Sequence, residues 1–374
     1  MNILIIGNPT TVHDFKWITA IKKISNYNLF FLPAEPNPDE RIEKLMIENG
    51  VVVLNPLPSI GVRNLIKVIS GLFRVRGIIK KHKIDLVHSL FVVPYAFWGV
   101  VTNKPKIITS RGSDILIMLP ELLKSKHPIH HLFGKIILKE LKFANHVTCT
   151  SKTLMAAVKT ISNNKNTHLI RTGVDVKEIA NSNSSEELPN ILKGKKIIFS
   201  PRWIEPIYGH EFQIETIRCL PINILEEYVF VFVRYKTLKS EYVDEILGKL
   251  NAINGLNFIC FNNLSLTEMY SIYNFSDLII MSPDSDGTPN SALEAMSAKC
   301  PLIMSDLAYD EDLFLDTSIK IKVKTPEYFA GLIKEALNNY DSNILEKAFE
   351  AVSNGADRMN EMSKVVELYK KSIK

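Results

Sequence analysis

The stretch Ser282–Asp306, SPDSDGTPNSALEAMSAKCPLIMSD, decides the fold. It reads as the end of an apolar strand, then a turn, then a helix leading into a second apolar strand. Gly287 allows a tight backbone, and Pro289 or Asn290 suits a helix start. A helix N-terminus has unpaired N–H groups and a positive dipole end, so the run Gly287, Thr288, Pro289, Asn290 can hold a pyrophosphate. Asp286 lies in the turn and Glu294, eight positions on, lies in the helix. At that depth the Glu294 carboxylate can accept hydrogen bonds from a sugar diol. The same pattern is also compatible with an ordinary loop-to-helix turn.

Working outward, short apolar runs alternate with helically spaced ones. In the first half the strand candidates are 2–7, 29–32, 51–54, 86–89, 107–110 and 146–150. In the second half they are 196–200, 228–234, 256–260, 278–282, 301–305 and 319–323, with helices near 211–219, 242–251, 266–275 and 290–298. Helical stretches at 327–338 and after Ile344 end the chain. The alternation argues an α/β architecture of parallel, doubly wound sheets. The Ser/Asn-rich segment ANSNSSEELPNILKG (180–194) interrupts it and marks the domain boundary. The domains are therefore read as 1–180 and 190–345, followed by helices over 346–374.

A chain of 374 residues with 46% hydrophobic content has room for two sizeable cores. No run approaches the roughly 20 apolar residues of a membrane span, and the start, MNILIIGNP, reads as a buried first strand rather than a leader. Cys149, Cys219, Cys260 and Cys300 form no C-x-x-C pair and read as reduced core thiols of a cytoplasmic protein. The net charge of +5 is uneven: the first half is strongly basic and the second acidic. Between Asn49 and Ile84 there is no acidic residue, and Arg63, Lys67, Arg74, Arg76, Lys80, Lys81 and Lys83 interleave with apolar positions. Such a helix can lie on an anionic membrane surface, or be a packed helix with a solvated basic face; the basic first half favours membrane contact. Nothing resembles a nucleic-acid-binding module.

The carboxylate pair around the Gly287–Asn290 turn resembles the nucleotide-sugar signature of the GT-B glycosyltransferases of family 4, in which two glutamates with seven residues between them flank the donor sugar and the ribose. Here Asp286 takes the first place. The resemblance covers essentially the whole chain and implies two Rossmann-like domains facing across a cleft, with the last helix crossing back to the first domain. It also implies a metal-independent, retaining transfer from a UDP- or GDP-sugar to a glycan or lipid-linked acceptor in surface polysaccharide assembly. In the segment PRWIEPIYGH (201–210), Arg202 matches the family's phosphate-binding arginine and can stabilise the leaving group with the helix start near Thr288–Ser291; Tyr208 stands where a lysine is usual. The acceptor's proton could pass to a donor phosphate oxygen. Asp286 would contact the donor sugar or its transition state, and Glu294 the ribose. The triplet Asp284-Ser285-Asp286 also spells the D-x-D metal pattern of a different glycosyltransferase fold, which the flanking residues disfavour.

The first domain's signals are sparser. Gly7 lies in a turn able to approach a phosphate or the acceptor. His13 and Lys16 resemble an acceptor-side motif, although His13 equally suits a surface helix start. In SRGSD (110–114) Arg111 replaces the family's sugar-contacting histidine, which implies an acidic or otherwise different sugar, and Asp114 either orients the loop or binds a hydroxyl. RTGVD (171–175) resembles the turn before the linker. Arg234-Tyr235-Lys236 replaces a Gly-rich turn, and Phe261-Asn262-Asn263 stands where the base is recognised. Two other readings stay open: a sugar-nucleotide 2-epimerase, for which no converging acid and base are apparent, and a catalytically inactive partner subunit of the same fold.

Overall fold

The computed structural model describes residues 1–61, 64–234, 241–262 and 264–373. Two compact units emerge, Met1–Thr172 with Arg358–Lys374, and Gly173–Asp357. The division falls at Thr172/Gly173, ahead of the Ser/Asn-rich segment. That segment lies inside the second unit, where Ile179, Leu188 and Leu192 join its core. The helix Ser342–Gly355 also stays with the second unit through Ala348 and Val352, so only the final helix, Arg358–Ile373, belongs to the first.

The first unit is built on a seven-stranded sheet. Its strands are β1 (Asn2–Gly7), β2 (Asn28–Pro33), β3 (Val52–Val53), β4 (Leu86–Ser89), β5 (Lys106–Ser110), β6 (His146–Cys149) and β7 (Thr167–Leu169). They are parallel, in the order β3-β2-β1-β4-β5-β6-β7. β7 is absent from the sequence reading because Thr167, His168 and Leu169 are only half-buried and mixed in polarity, as an edge strand allows. β1 is apolar from Ile3 to Ile6 because both its faces are covered: Leu4 and Ile6 pack with Val87, Ile108 and Val147, while Ile3 and Ile5 pack with Trp17, Ile21 and Met362. The apolar run 90–101 is core rather than membrane-directed, with Trp98 fully buried. Among the described residues, no helix is long and apolar enough to cross a membrane.

The final helix is tied to this sheet by a buried polar chain. The Tyr369 hydroxyl lies 2.7 Å from His88 Nδ1, His88 Nε2 lies 2.8 Å from Thr109 Oγ1, and Thr109 Oγ1 lies 2.8 Å from Thr148 Oγ1. Burial, helped by the Arg111 charge, pushes the His88 imidazole down to about 3, so the chain is made by a neutral ring. Glu361, also buried, accepts the Arg171 N–H at 2.7 Å.

The second unit carries β8 (Lys196–Trp203), β9 (Tyr228–Val233), β10 (Phe258–Phe261), β11 (Leu278–Met281), β12 (Leu302–Ser305) and β13 (Ile319–Ile321). These strands are parallel in the order β10-β9-β8-β11-β12-β13. β9 is buried along its length, with Val229, Val231 and Val233 in one core and Phe230 and Phe232 in the other. Order reverses between β8 and β11, and ligands of open α/β sheets gather outside the strand carboxyl ends at such a switch. Of the four cysteines, Cys149 and Cys300 are buried and Cys260 half-buried, whereas Cys219 is exposed at a helix end rather than in the core.

Replacing Tyr369 by Phe leaves His88 Nδ1 buried without its partner, at a cost of about 1–3 kcal/mol. The expected outcome is a lower urea midpoint with an unchanged m-value. An unchanged midpoint would show that the chain does not stabilise the unit.

Candidate functional site

The site is assembled at the carboxyl ends of β8 and β11. The register of β8 against β9 slips between Ser200 and Trp203, which sets Pro201 and Arg202 in a bulge. Bulges re-aim side chains, and Arg202 reaches over to the turn that follows β11. Its Nη2 lies 2.9 Å from Asp286 Oδ2 and its Nη1 3.5 Å from Ser291 Oγ. The close approach to Asp286 is ionic rather than an aligned hydrogen bond, and Arg202 Nε is buried without an acceptor among the described residues. Asp286 also accepts the Gly287 N–H at 2.8 Å. Burial pushes its carboxyl up, against the opposing pull of Arg202.

Tyr208 does not extend alongside Arg202 as a lysine would. Its ring lies under the guanidinium, 4.0 Å from Cζ to the ring centre. The exchange has a physical reason: an ammonium there would repel Arg202, whereas an aromatic face supports it. The turn after Tyr208 needs a glycine, because Gly209 has φ of 67° and a Cβ would lie 2.1 Å from the Ser282 carbonyl. Gly287 differs from expectation. It has no positive φ and a Cβ would meet nothing within 4 Å, so its backbone is not forced; the missing side chain leaves open space before the helix.

That helix, Asn290–Ser297, begins after Pro289 with no side-chain cap and no acidic residue in its first turn. Its N-terminus is thus electropositive and offers amides to an anion. Pro289 is buried, Thr288 and Asn290 half-buried, and Glu294 half-buried on the helix while Ala292, Leu293 and Met296 fill the core. Tyr273, on the helix Leu266–Phe275, was missed by the sequence reading. It hydrogen-bonds Ser291 and Glu294, and burial first and Glu294 second hold its phenol far above the usual range. Its apolar neighbours make it look like core; only its three-dimensional proximity to Glu294 reveals it. The aspartates of Asp284-Ser285-Asp286 diverge, Asp284 pairing with Lys324 and Asp286 with Arg202. No cluster of three or more metal-ligating side chains occurs among the described residues. Arg234 donates to Asn262. Arg63, Tyr235, Lys236 and Asn263 lie outside the described residues.

In the first unit, the equivalent strand ends collect a different set. Gly7 has a structural reason of its own, since a Cβ there would lie 2.4 Å from Asp14 Oδ2: the glycine makes room for that carboxylate. Asp14 accepts the Asn8 N–H at 2.7 Å and pairs with Arg111 Nη1 at 2.8 Å. Burial raises its carboxyl while Arg111 opposes the rise. Arg111 lies over Trp17, and its Nε and Nη2 are buried without acceptors among the described residues. Nothing in the sequence singles out Asp14. Asp114 cannot bind an acceptor hydroxyl: it is fully buried and accepts N–H groups of Val92 at 3.0 Å, Gly112 at 2.9 Å, Ile115 at 3.1 Å and, more loosely, Arg111. It orients the loop. His13 is exposed and Lys16 half-buried on the helix Val12–Ile24.

Structural likeness supports the same assignment of fold. A glycosyltransferase from Rickettsia africae superimposes with a TM-score of 0.78 at 16% identity, over 100% of this chain and 98% of that one. Anabaena HepE in complex with UDP gives 0.76 at 14% identity, over 99% and 100%. Sucrose-phosphate synthase from Thermosynechococcus elongatus gives 0.72 at 14%, over 99% and 98%. No curated protein matches in sequence. The family profile described as Glycosyltransferase Family 4 matches residues 29–178, and that of Glycosyl transferases group 1 matches residues 182–355. With both halves of its chain accounted for in this way, the protein belongs to the GT-B glycosyltransferases of family 4 type, and is a transferase enzyme.

Proposed function

We propose that this enzyme moves a sugar, with retention of configuration, from a UDP- or GDP-sugar to a lipid-linked glycan acceptor in the assembly of a surface polysaccharide. The observation that carries the reading is the union of Arg202, Asp286, Ser291 and Glu294 around an uncapped helix start. The diphosphate sits on the amides of the first helical turn, and Arg202 exchanges Asp286 for phosphate oxygens. Asp286, thereby released, turns to the donor sugar. Glu294, oriented by Tyr273, accepts the ribose hydroxyls. As the glycosidic bond breaks, charge develops on the diphosphate, where Arg202 and the helix dipole already point; such preorganised charges are the largest part of many rate accelerations. Complexes of Anabaena HepE with UDP and with UDP-glucose support a nucleotide-sugar donor. The vacant Nε–Nη2 edge of Arg111 suits a planar carboxylate and supports an acidic sugar in the donor or the acceptor.

The acceptor's lipid links the enzyme to a membrane surface, and the helix Leu65–Lys81 supports this. Ile66 is 84% exposed and Phe73 70%, with Leu65 and Ile69 also outward, while Val68, Gly71 and Val75 face the core. Lys67, Arg76, Lys80 and Lys81 are exposed on the same helix. Apolar side chains among cations fit an interface with anionic headgroups.

Substitutions at the site and on the helix have distinct expected effects. Glu294→Ala should weaken UDP or GDP binding by about 2 kcal/mol, roughly thirtyfold in Kd by calorimetry, and Arg202→Met should lower donor turnover by about 10²–10³. Unchanged affinity in Glu294→Ala would refute the ribose role. In co-sedimentation with anionic vesicles at low salt, Lys80→Glu/Lys81→Glu and Ile66→Ser/Phe73→Ser should each reduce the bound fraction by tenfold or more, at about 1 kcal/mol per charge near the surface. If both double variants sediment like the parent, the helix does not touch the membrane.

A further inference from the structure

The second unit holds a cation that the site described above leaves unused. Lys320 lies on β13, and its Nζ stands 5.0 Å from the centre of the Tyr309 ring and 5.5 Å from that of Phe314. The ammonium is buried and has no hydrogen-bond acceptor among the described residues. Tyr309 and Phe314 share a core cluster with Ala292, Leu293 and Met296, so Lys320 faces the same side of the sheet as the helix Asn290–Ser297. The Tyr309 hydroxyl is also buried and without a partner among the described residues, and it feels the charges of Asp286, Arg202 and Asp306. The ring of Tyr309 thus lies against the Lys320 ammonium, while its hydroxyl lies in the field of the Arg202–Asp286 pair.

This arrangement is expensive if it serves packing alone. A buried ammonium loses its hydration, and contact with aromatic rings returns only part of that loss. An aliphatic side chain between Ile319 and Ile321 would avoid the cost. Burial pushes the ammonium down to about 8, with Asp306 opposing. Meanwhile Tyr208 contributes no charge beside Arg202, so the candidate diphosphate site has one arginine where two negative phosphates must be met. A lysine on its flexible stem, bound by no hydrogen bond, can move toward an arriving anion at the loss of the ring contacts only.

We propose that Lys320 supplies the second positive charge for the nucleotide's diphosphate, leaving the rings of Tyr309 and Phe314 to meet a phosphate oxygen, with the Tyr309 hydroxyl donating beside it. This rests on the reading of the Arg202–Glu294 cluster as a nucleotide-diphosphate site. Asp306 stays as the counter-charge when the site is empty. The groups facing the ammonium are Asp306 and Tyr309; burial holds the Tyr309 phenol above its ordinary range and pushes the Lys320 ammonium down to about 8. Its folded value is depressed and a bound diphosphate restores it. Binding therefore takes up a proton above pH 8 and weakens as the pH rises.

The test is calorimetry of the full chain with UDP and GDP, and with uridine and guanosine as uncharged controls, between pH 7 and 9.5. Lys320→Met and Lys320→Gln should each bind the preferred diphosphate at least tenfold more weakly at pH 7. Both should bind its nucleoside as the parent does and lose the decline above pH 8. Melting temperatures at or above the parent's would exclude unfolding as the cause. Parent-like diphosphate affinity with an unaltered pH profile, or an equal loss for the nucleoside, overturns the role of Lys320. If Arg202→Met and Glu294→Ala weaken UDP or GDP binding while the Lys320 variants do not, the inference fails and the site stands; if the parent binds neither nucleotide, the site itself has been misread.

Discussion

Arg202 and Asp286 neutralise each other at 2.9 Å beside the start of a helix that has no cap of its own. The candidate site of the second unit is built around that pair. An arginine brought in from one strand end and an aspartate from another can meet only because β8 and β11 are adjacent and parallel, so that both loops emerge at one edge. The bulge at Pro201–Arg202 then turns the guanidinium inward, and the Tyr208 ring keeps it flat. Gly209 fixes this loop by lying directly against the Ser282 carbonyl, which ties the two strand ends together where the pair forms. On the proposed function the pair is a resting arrangement: a diphosphate would compete with Asp286 for the same cation and free a carboxylate in doing so.

The same logic separates what the sequence discloses from what it conceals. Arg202, Asp286 and Glu294 were legible because each follows or opens an element whose period is plain, and because a polar residue after an apolar run has few structural reasons to be there. The strands were legible for the same reason: β1 and β9 are buried on both faces and therefore continuously apolar. β7 was not, since an edge strand needs no such run. Tyr273, Tyr309 and Lys320 were hidden by the opposite effect. Tyr273 among apolar neighbours reads as core, Tyr309 sits in an acidic loop with no periodic signal, and a lysine between two isoleucines reads as the outward position of a strand; only the packing of Lys320 against two rings reverses that last reading. The Asp14–Arg111 pair joins the ends of strands far apart in the chain, and no local spacing encodes it. The place of the final helix depends on Tyr369 and Glu361 finding His88 and Arg171, contacts set entirely by tertiary structure.

Departures from the family pattern acquire physical meaning once their surroundings are known. Replacing a lysine by Tyr208 removes a charge but creates a platform that holds Arg202 in one orientation. Replacing a histidine by Arg111 introduces a charge, and the first unit answers it with Asp14, accommodated by the absent side chain of Gly7. Each exchange is compensated within a few ångströms, Tyr208 by stacking under Arg202 and Arg111 by pairing with Asp14.

Two carboxylates at the strand ends of the first unit, Asp14 and Asp114, bear on how the acceptor would lose its proton. Asp114 is fully buried and its oxygens are occupied by backbone amides, so it is neither reachable nor free to rotate. Asp14 is 2% exposed and holds the Asn8 amide and Arg111 at once. Protonating it would leave the Arg111 charge uncompensated in a buried setting, at a cost that a general base cannot recover during a turnover. Neither group is placed to take a proton from an incoming hydroxyl. On the proposed function the leaving diphosphate gains negative charge as the bond to the sugar lengthens, and its own oxygen would become basic at the moment the acceptor's proton must leave. Arg202 and the helix start, by holding that diphosphate in place, would then position the proton acceptor as well as stabilise the departing charge.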